Sequence, residues 1–407
     1  MYSKQKTTGQ AFYYFGLFIY VLSINIQYSF MHNEWAVSQS PALTVLKLMR
    51  YAAYGLCILN LMSLCRINVF SIVAGIALFV SAVYASFTGP QKAPLLYFVL
   101  LVTGIQTNFR KCVKIFFVIQ LTTFILYVTL AQLGISGADV IDDAGRKRCF
   151  MGYGWVNRAS YSWLFICLEI LYLKKGRLNP ALGLVLSAVN SFIFYRTRTV
   201  FSMSMTFGII GCGVLHYCWR KLNKKRRRNY QMIYRLSAIF FVVTIIIGLI
   251  LPLVYSPANP VLYHINKMVT GRLSLAQDAL GKYGLHLGGN KLQWVGSSTL
   301  MFGLTNENEY FYVDNGFLQM ALESGLLFTF LIIFLYISSI KIACVMENMT
   351  IVVVLEILGI LFVFEPYVID FAFNPFVLYF FSSITVNTAS RKRSVRIDGE
   401  ATITVTQ

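Results

Sequence analysis

The chain has 407 residues, of which 57% are hydrophobic and only 13% charged, yet 35 Lys and Arg against 16 Asp and Glu leave a formal charge of +19. Ordinary soluble domains hold about 45–50% apolar and about 25% charged residues, so these figures, with a mean hydropathy of +0.64, exclude a soluble nucleic-acid-binding protein. What matters is where the positive charges sit.

A helix crossing a bilayer needs roughly 20 mostly apolar residues. Twelve stretches meet or approach that requirement, at 11–30, 43–65, 69–87, 94–108, 112–135, 159–173, 178–195, 200–219, 233–255, 316–340, 349–365 and 370–386. Lys4 and Lys6 precede the first, and no small-x-small cleavage site follows it, so it reads as a retained signal anchor. With both termini inside, 21 basic residues fall on the cytoplasmic side, 11 outside and three (Lys47, Arg50, Arg235) within spans. That is the positive-inside bias. The run Lys221–Asn229 (KLNKKRRRN) is its main determinant and a contact for anionic lipid. The expectation is an all-α, polytopic membrane protein. Residues 1–255 hold nine helices with short loops, 256–315 a large extracytoplasmic loop, 316–386 three more helices and 387–407 a basic cytoplasmic tail.

Two external connections are long, 136–158 and 256–315; loops beyond about 12–15 residues usually carry function. Within the second, GRLSLAQDALGKY (Gly271–Tyr283) has helical spacing, with Leu273, Ala276 and Leu280 on one face and Ser274, Asp278 and Lys282 on another. Thr270 is its expected cap, and an amphipathic helix lying on the outer membrane surface fits the pattern. Eight cysteines and four histidines show no CxxC or HExxH spacing, and no P-loop is present. The expectation is no metal and no cofactor; Glu307 and Glu309 read as solvated carboxylates.

External arginines run against the charge bias and need a partner. FYRTRTVF places Arg196 and Arg198 in an external turn with no acid, and Arg272 opens the loop helix. Arginine's planar fork suits phosphate or carboxylate oxygens, while a helix end at the headgroup level also lets arginine snorkel. Lys47 and Arg50, three residues apart in the second span, mark either a ligand contact or an internal pair with Glu356. Glu365 and Asp370 flank the last external turn and could balance nearby cations.

Several stretches together resemble the O-antigen ligase and Wzy-type polysaccharide polymerase family. Thr270–Gly289 is similar to its Gly-Arg-Leu loop helix, Tyr312–Leu327 to its Asp-Asn-x-aromatic-Leu segment, RTRTVF to its Ser-Arg-Thr turn, and Met151–Tyr161 to its Gly-aromatic-x-x-x-Asn turn. Asp314, Asn315 and Gly325 keep the ligase spacing with Asp in place of His, and the arginine-to-glycine repeat of some polymerases is absent, Tyr283 holding the required position. The resemblance implies a GT-C-like, metal-independent, inverting glycosyltransferase at the outer face of a bacterial inner membrane. Donor and acceptor would be undecaprenyl-diphosphate-linked oligosaccharides, with membrane lipids, a flippase and a chain-length regulator as further partners. It implies catalytic roles for Arg272, Asp314 and Arg198, and substrate contacts from Arg196, Arg198, Arg272, Lys47, Arg50, Asn157 and Asn315. Asp314 reads as the general base or as the cap of the tenth span. A ligase of the same family, a lipid-linked-oligosaccharide flippase or other secondary transporter, and a non-catalytic scaffold remain as alternatives.

Overall fold

A computed structural model describes residues 2–62, 69–89, 93–143, 146–222, 230–305 and 309–383. The basic stretch 223–229, Glu307 and the tail from 384 onward lie outside them. The helices in order are α1 (Tyr2–Gln27), α2 (Phe30–Val37), α3 (Ala42–Met62), α4 (Val69–Thr88), α5 (Ala93–Thr103), α6 (Phe109–Gln132), α7 (Arg158–Leu173), α8 (Pro180–Thr197), α9 (Val200–Leu222) and α10 (Tyr230–Val254). Then come α11 (Pro260–Met268), α12 (Arg272–Tyr283), α13 (Ser297–Met301), α14 (Gly316–Val345) and α15 (Met349–Phe364).

Among the described residues, seven helices are long and apolar enough to cross a membrane: α1, α3, α4, α6, α9, α10 and α14, with shorter apolar helices at α5 and α15. They expose large apolar side chains outward, among them Val73, Val118, Ile246 and Phe330. Such a surface needs lipid, not water, around it. The chain is therefore built as a helical membrane protein. Helices α7 and α8 occupy the sixth and seventh predicted spans. The twelfth, expected at 370–386, begins instead as a turn and a 3-10 segment, Pro375–Leu378. Asp370 accepts the Ala372 amide at 2.8 Å, and Asn374 caps Phe376 at 3.0 Å. Proline at 375 then starts the 3-10 segment at its first position, where a missing N–H costs nothing.

Asparagine starts many of these helices. Asn108, Asn179, Asn259 and Asn315 each accept a backbone amide of the first turn, at 3.3, 2.7, 3.0 and 3.0 Å. Their side-chain oxygens satisfy donors that no helix can pair internally. The core is aromatic, with Phe241 against Phe317 and Tyr336, and Phe165 against Phe373.

Two connections depart from expectation. Residues 136–158 contain an antiparallel hairpin, β1 (Val140–Asp143) and β2 (Arg146–Cys149), so the chain is helical but not purely so. Four-residue strands are too short for alternation to reveal them. The loop helix at 271–283 forms as α12, yet it does not lie free on a membrane surface. Ala276 and Ala279 are buried against Leu292, Val313, Leu318 and Leu322. Nor does Thr270 cap it: Asn266, in the preceding helix, accepts the amides of Leu273 and Ser274 at 3.0 and 3.2 Å.

Helix α14 is broken at Gly325, with φ 82° and ψ 164°. A break at this depth strands backbone groups that lipid cannot satisfy. The crossing segment 286–290 satisfies them: the amides of Leu326 and Leu327 donate to the carbonyls of His286 and Leu287 at 2.9 and 3.2 Å, and the Asn290 amide donates to Leu322 at 2.9 Å. The approach is so close that a Cβ at 325 would sit 2.4 Å from Gly288 C and Leu287 O, and one at 289 would lie 1.9 Å from Glu323 O. Gly325→Ala is expected to destabilise the protein by on the order of 3 kcal/mol through strain and overpacking. Thermal unfolding in detergent checks this, with Gly281→Ala, whose Cβ would meet nothing within 4 Å, as the neutral comparison.

Candidate functional site

One end of the helical bundle encloses a cavity of about 1120 Å³, larger than the roughly 300–1,000 Å³ typical of small-molecule pockets. Its walls come from the ends of α1, α3, α5, α7 and α14, with β1, β2 and the segments 270–314 and 365–373. These are connections that charge sorting places on one side of the membrane. Five cations face it (Lys47, Arg50, Arg148, Arg158, Arg272), as do four carboxylates (Asp314, Glu323, Glu365, Asp370) and many aromatic rings.

At its heart one guanidinium joins two carboxylates. Arg272 Nε lies 3.2 Å from Asp314 Oδ2, and its Nη2 lies 2.9 Å from Glu365 Oε1. Nη1 donates to the Phe364 carbonyl, which the end of α15 leaves unpaired, and the Tyr161 hydroxyl donates to Glu365. Three elements distant in sequence thus meet on one side chain. Burial acts to lower the Arg272 pKa, but Glu365 and then Asp314 outweigh it and hold the guanidinium charged. Burial raises both carboxyls above their ordinary range against the pull of Arg272. Glu365, also beside Asp314, is pushed up to about 7, and Asp314 is raised as well.

Because Glu365 is raised on folding, its protonated form stabilises the protein below the ordinary carboxylate range, and that contribution is lost as pH rises through about 7. Glu365→Gln is therefore expected to flatten the fall in melting temperature as pH rises from about 4.5 to about 7.

A second cluster sits at Asp370. Its Oδ2 accepts the Tyr28 hydroxyl at 2.8 Å and its Oδ1 the Ala372 amide at 2.8 Å. The Arg158 guanidinium lies 4.3 Å over the Tyr28 ring. Both Asp370 oxygens are engaged by fold contacts, whereas Asp314 is held by its ion pair with Arg272. Glu323, in the first half of broken α14, accepts the Trp294 indole N–H.

Of the residues singled out in the sequence, Lys47, Arg50, Asn157, Arg272 and Asp314 line this cavity. Arg196, Arg198 and Asn315 do not. Arg196 reaches Cys149 Sγ at 3.5 Å, and Arg198 is exposed, in the left-handed conformation that ends α8, with its guanidinium 5.0 Å over Tyr195. In that turn it is the backbone and the threonines that bind the site together. The Thr197 carbonyl accepts Arg148 Nε at 2.8 Å, and Thr199 donates to Asn157 at 3.2 Å, the same oxygen that Arg148 Nη2 contacts. Arg198→Ala is expected to leave stability within about 0.5 kcal/mol of wild type, as for a surface change away from structural features; thermal unfolding in detergent checks it.

Asn315, not Asp314, caps α14, and its amide donates to the Gly248 carbonyl at 2.6 Å. This one-residue offset leaves Asp314 outside the helix and facing the cavity. Glu356 does not partner Lys47 or Arg50; it is in α15 and absent from the cavity wall, while Arg50 donates to Gln27 Oε1 at 2.8 Å. Arg148, Arg158 and Glu323 join the site unannounced. Arg148 and Arg158 stood among the external basics, but nothing in the sequence set them apart. Among the described residues no group of three or more His, Cys, Asp or Glu could hold a metal ion.

Comparisons with protein-family models, curated proteins and solved structures find no match for the chain. What the fold and the site define is a helical membrane protein with a large, charged and aromatic chamber at one end of its bundle.

Proposed function

We propose that the chamber carries out inverting glycosyl transfer between lipid-linked glycans, as a GT-C-like polymerase of oligosaccharide repeat units carried on undecaprenyl diphosphate. The observation that carries the reading is Arg272 held between Asp314 and Glu365 in the wall of a chamber large enough for several sugar rings. Aromatic faces such as Tyr54, Tyr97 and Tyr367 suit sugar rings, and cations suit a diphosphate.

In this mechanism Asp314 takes the proton of the acceptor hydroxyl. The hydroxyl oxygen bonds to the donor's anomeric carbon from the face opposite the diphosphate. The bond from that carbon to the diphosphate oxygen breaks, its electron pair leaves with the diphosphate, and cavity cations stabilise the departing charge. Arg272 orients Asp314 and opposes the rise that burial gives its pKa. Glu365, fixed by Tyr161, holds Arg272 in place.

The test is genetic deletion with complementation, read as the length distribution of the surface glycan. Single repeat units in the deletion, restored to polymer by the wild-type gene, support the polymerase. Long lipid-linked polymer that never reaches its acceptor would favour a ligase. Repeat units stranded on the inner leaflet would replace both readings with a flippase.

A further inference from the structure

We infer that Glu323 is a specificity residue of the chamber, and that it binds a protonated amino group on the sugar that enters there. The inference rests on the proposed function for the ligand's being a sugar; the preference for a positive group follows from the chamber wall itself.

Three of the four chamber carboxylates have a cation at hand. Asp314 and Glu365 share Arg272, and Arg158, over the Tyr28 ring, bears on Asp370. Glu323 is the exception: among the described residues no Lys or Arg pairs with it. Its Oε1 accepts the Trp294 indole N–H, while its Oε2 has no partner among the described residues and is open to the chamber. A carboxylate left unpaired in such a wall is costly. An incoming ammonium would supply what Arg272 supplies to its neighbours, a charge-assisted hydrogen bond.

Packing holds this carboxylate in place. The Glu323 carbonyl lies against two glycines: a Cβ at Gly289 would sit 1.9 Å from it, and one at Gly89 3.2 Å. Trp294 is fixed in turn by Phe311, stacked at 5.7 Å and 26°, and by Tyr312, edge-on at 5.8 Å. Its N–H therefore anchors one carboxylate oxygen and leaves the other aimed at solvent in the chamber. A recess of about 60 Å³ opens beside Glu323, with Tyr97, Gln319 and Ser324 also in its wall. Tyr97, Gln319 and Glu323 line the chamber as well, so recess and chamber are continuous. The space suits one small substituent and is far too small for a sugar ring. An ammonium brings three donors to it, and the Tyr97 ring favours a cation. Lys47, Arg50 and Arg148 elsewhere in the wall repel the same group, which fixes the way round in which the sugar binds.

The purified full-length protein in detergent is titrated calorimetrically with glucosamine, glucose and N-acetylglucosamine at about pH 6, below the ordinary range of such amines. Glucosamine is expected to bind at least about tenfold more tightly than glucose, the scale of one charge-assisted hydrogen bond. N-acetylglucosamine, whose amine is masked, should bind no more tightly than glucose. Glu323→Gln keeps an oxygen for the Trp294 N–H and should bring glucosamine down to the level of glucose, with glucose itself unchanged. The comparison of the three sugars on the wild-type protein decides the matter even if this variant fails to fold. Equal affinity for glucosamine and glucose would overturn the inference, as would a preference that survives Glu323→Gln or a failure of all three sugars to bind. The glycan lost in the gene deletion is expected to contain a sugar with a free amino group. A lost polymer without one would overturn the inference and leave the polymerase standing. Normal polymer in the deletion, with the glucosamine preference intact, would overturn the proposed reaction and leave the amine subsite standing.

Discussion

Arg272→Ala is expected to lower glycan polymer at least about 100-fold, the scale set by removing one fixed electrostatic group from an active site. It would also leave Asp314 and Glu365 beside each other in a buried wall with no cation between them. Breaking a buried pair in this way costs about 3–5 kcal/mol, so the alanine variant is expected to lose protein as well as product. Arg272→Lys separates the two effects. An ammonium keeps the charge but cannot reach Asp314, Glu365 and the Phe364 carbonyl together, as the guanidinium does. Its expected result is near-normal protein with polymer still reduced by an order of magnitude or more. Wild-type chain lengths from Arg272→Lys would show that the charge alone suffices and that the fork geometry has no role in the reaction.

Asp314→Asn is expected to behave in the opposite way, with activity lost and stability kept. General-base catalysis contributes about 10²–10⁴-fold, and the amide cannot take the proton. Stability is spared because Arg272 remains paired with Glu365, one charge against one. In a purified transfer assay the wild-type rate should fall as pH drops, because burial raises the Asp314 pKa and its protonated form is inert as a base. The sign for stability is the reverse: protonation of these buried carboxyls favours the folded state, so the acid side of the profile loses rate without losing structure. If Asp314→Asn stayed active while Glu365→Gln did not, the base would be Glu365.

Much of this arrangement was legible in the chain. Helix length and apolar content located most of the membrane helices, and the external basic residues together with the resemblance named Lys47, Arg50, Asn157, Arg272 and Asp314, which line one chamber. What misled was treating charge as a sufficient signal. Arg196 and Arg198 lack a nearby acid, as Arg272 does in sequence, yet α8 ends so that Arg198 turns outward while Thr197 and Thr199 face Arg148 and Asn157. A difference of one helical position decides which side chain meets the site, and composition carries no record of it. The partners of Arg272 were hidden for another reason. Glu365 and Tyr161 lie 93 and 111 residues away from it along the chain, and only the packing of α7 on α15 and of α12 on α10 and α14 brings them together. Arg148 was obscured by the brevity of its strand.

The interruption at Gly325 has a bearing on how such a protein responds to the bilayer around it. A continuous membrane helix transmits tilt along its whole length when lipid thickness changes. Here the crossing segment 286–290 is bonded to both sides of the break, to Leu322 before it and to Leu326 and Leu327 after it. Asp314 and Glu323 belong to the side before the break. A lean of the second part of α14, set by acyl-chain length, is therefore passed first to the loop that also carries α12, which couples the chamber to the thickness of the membrane that supports it.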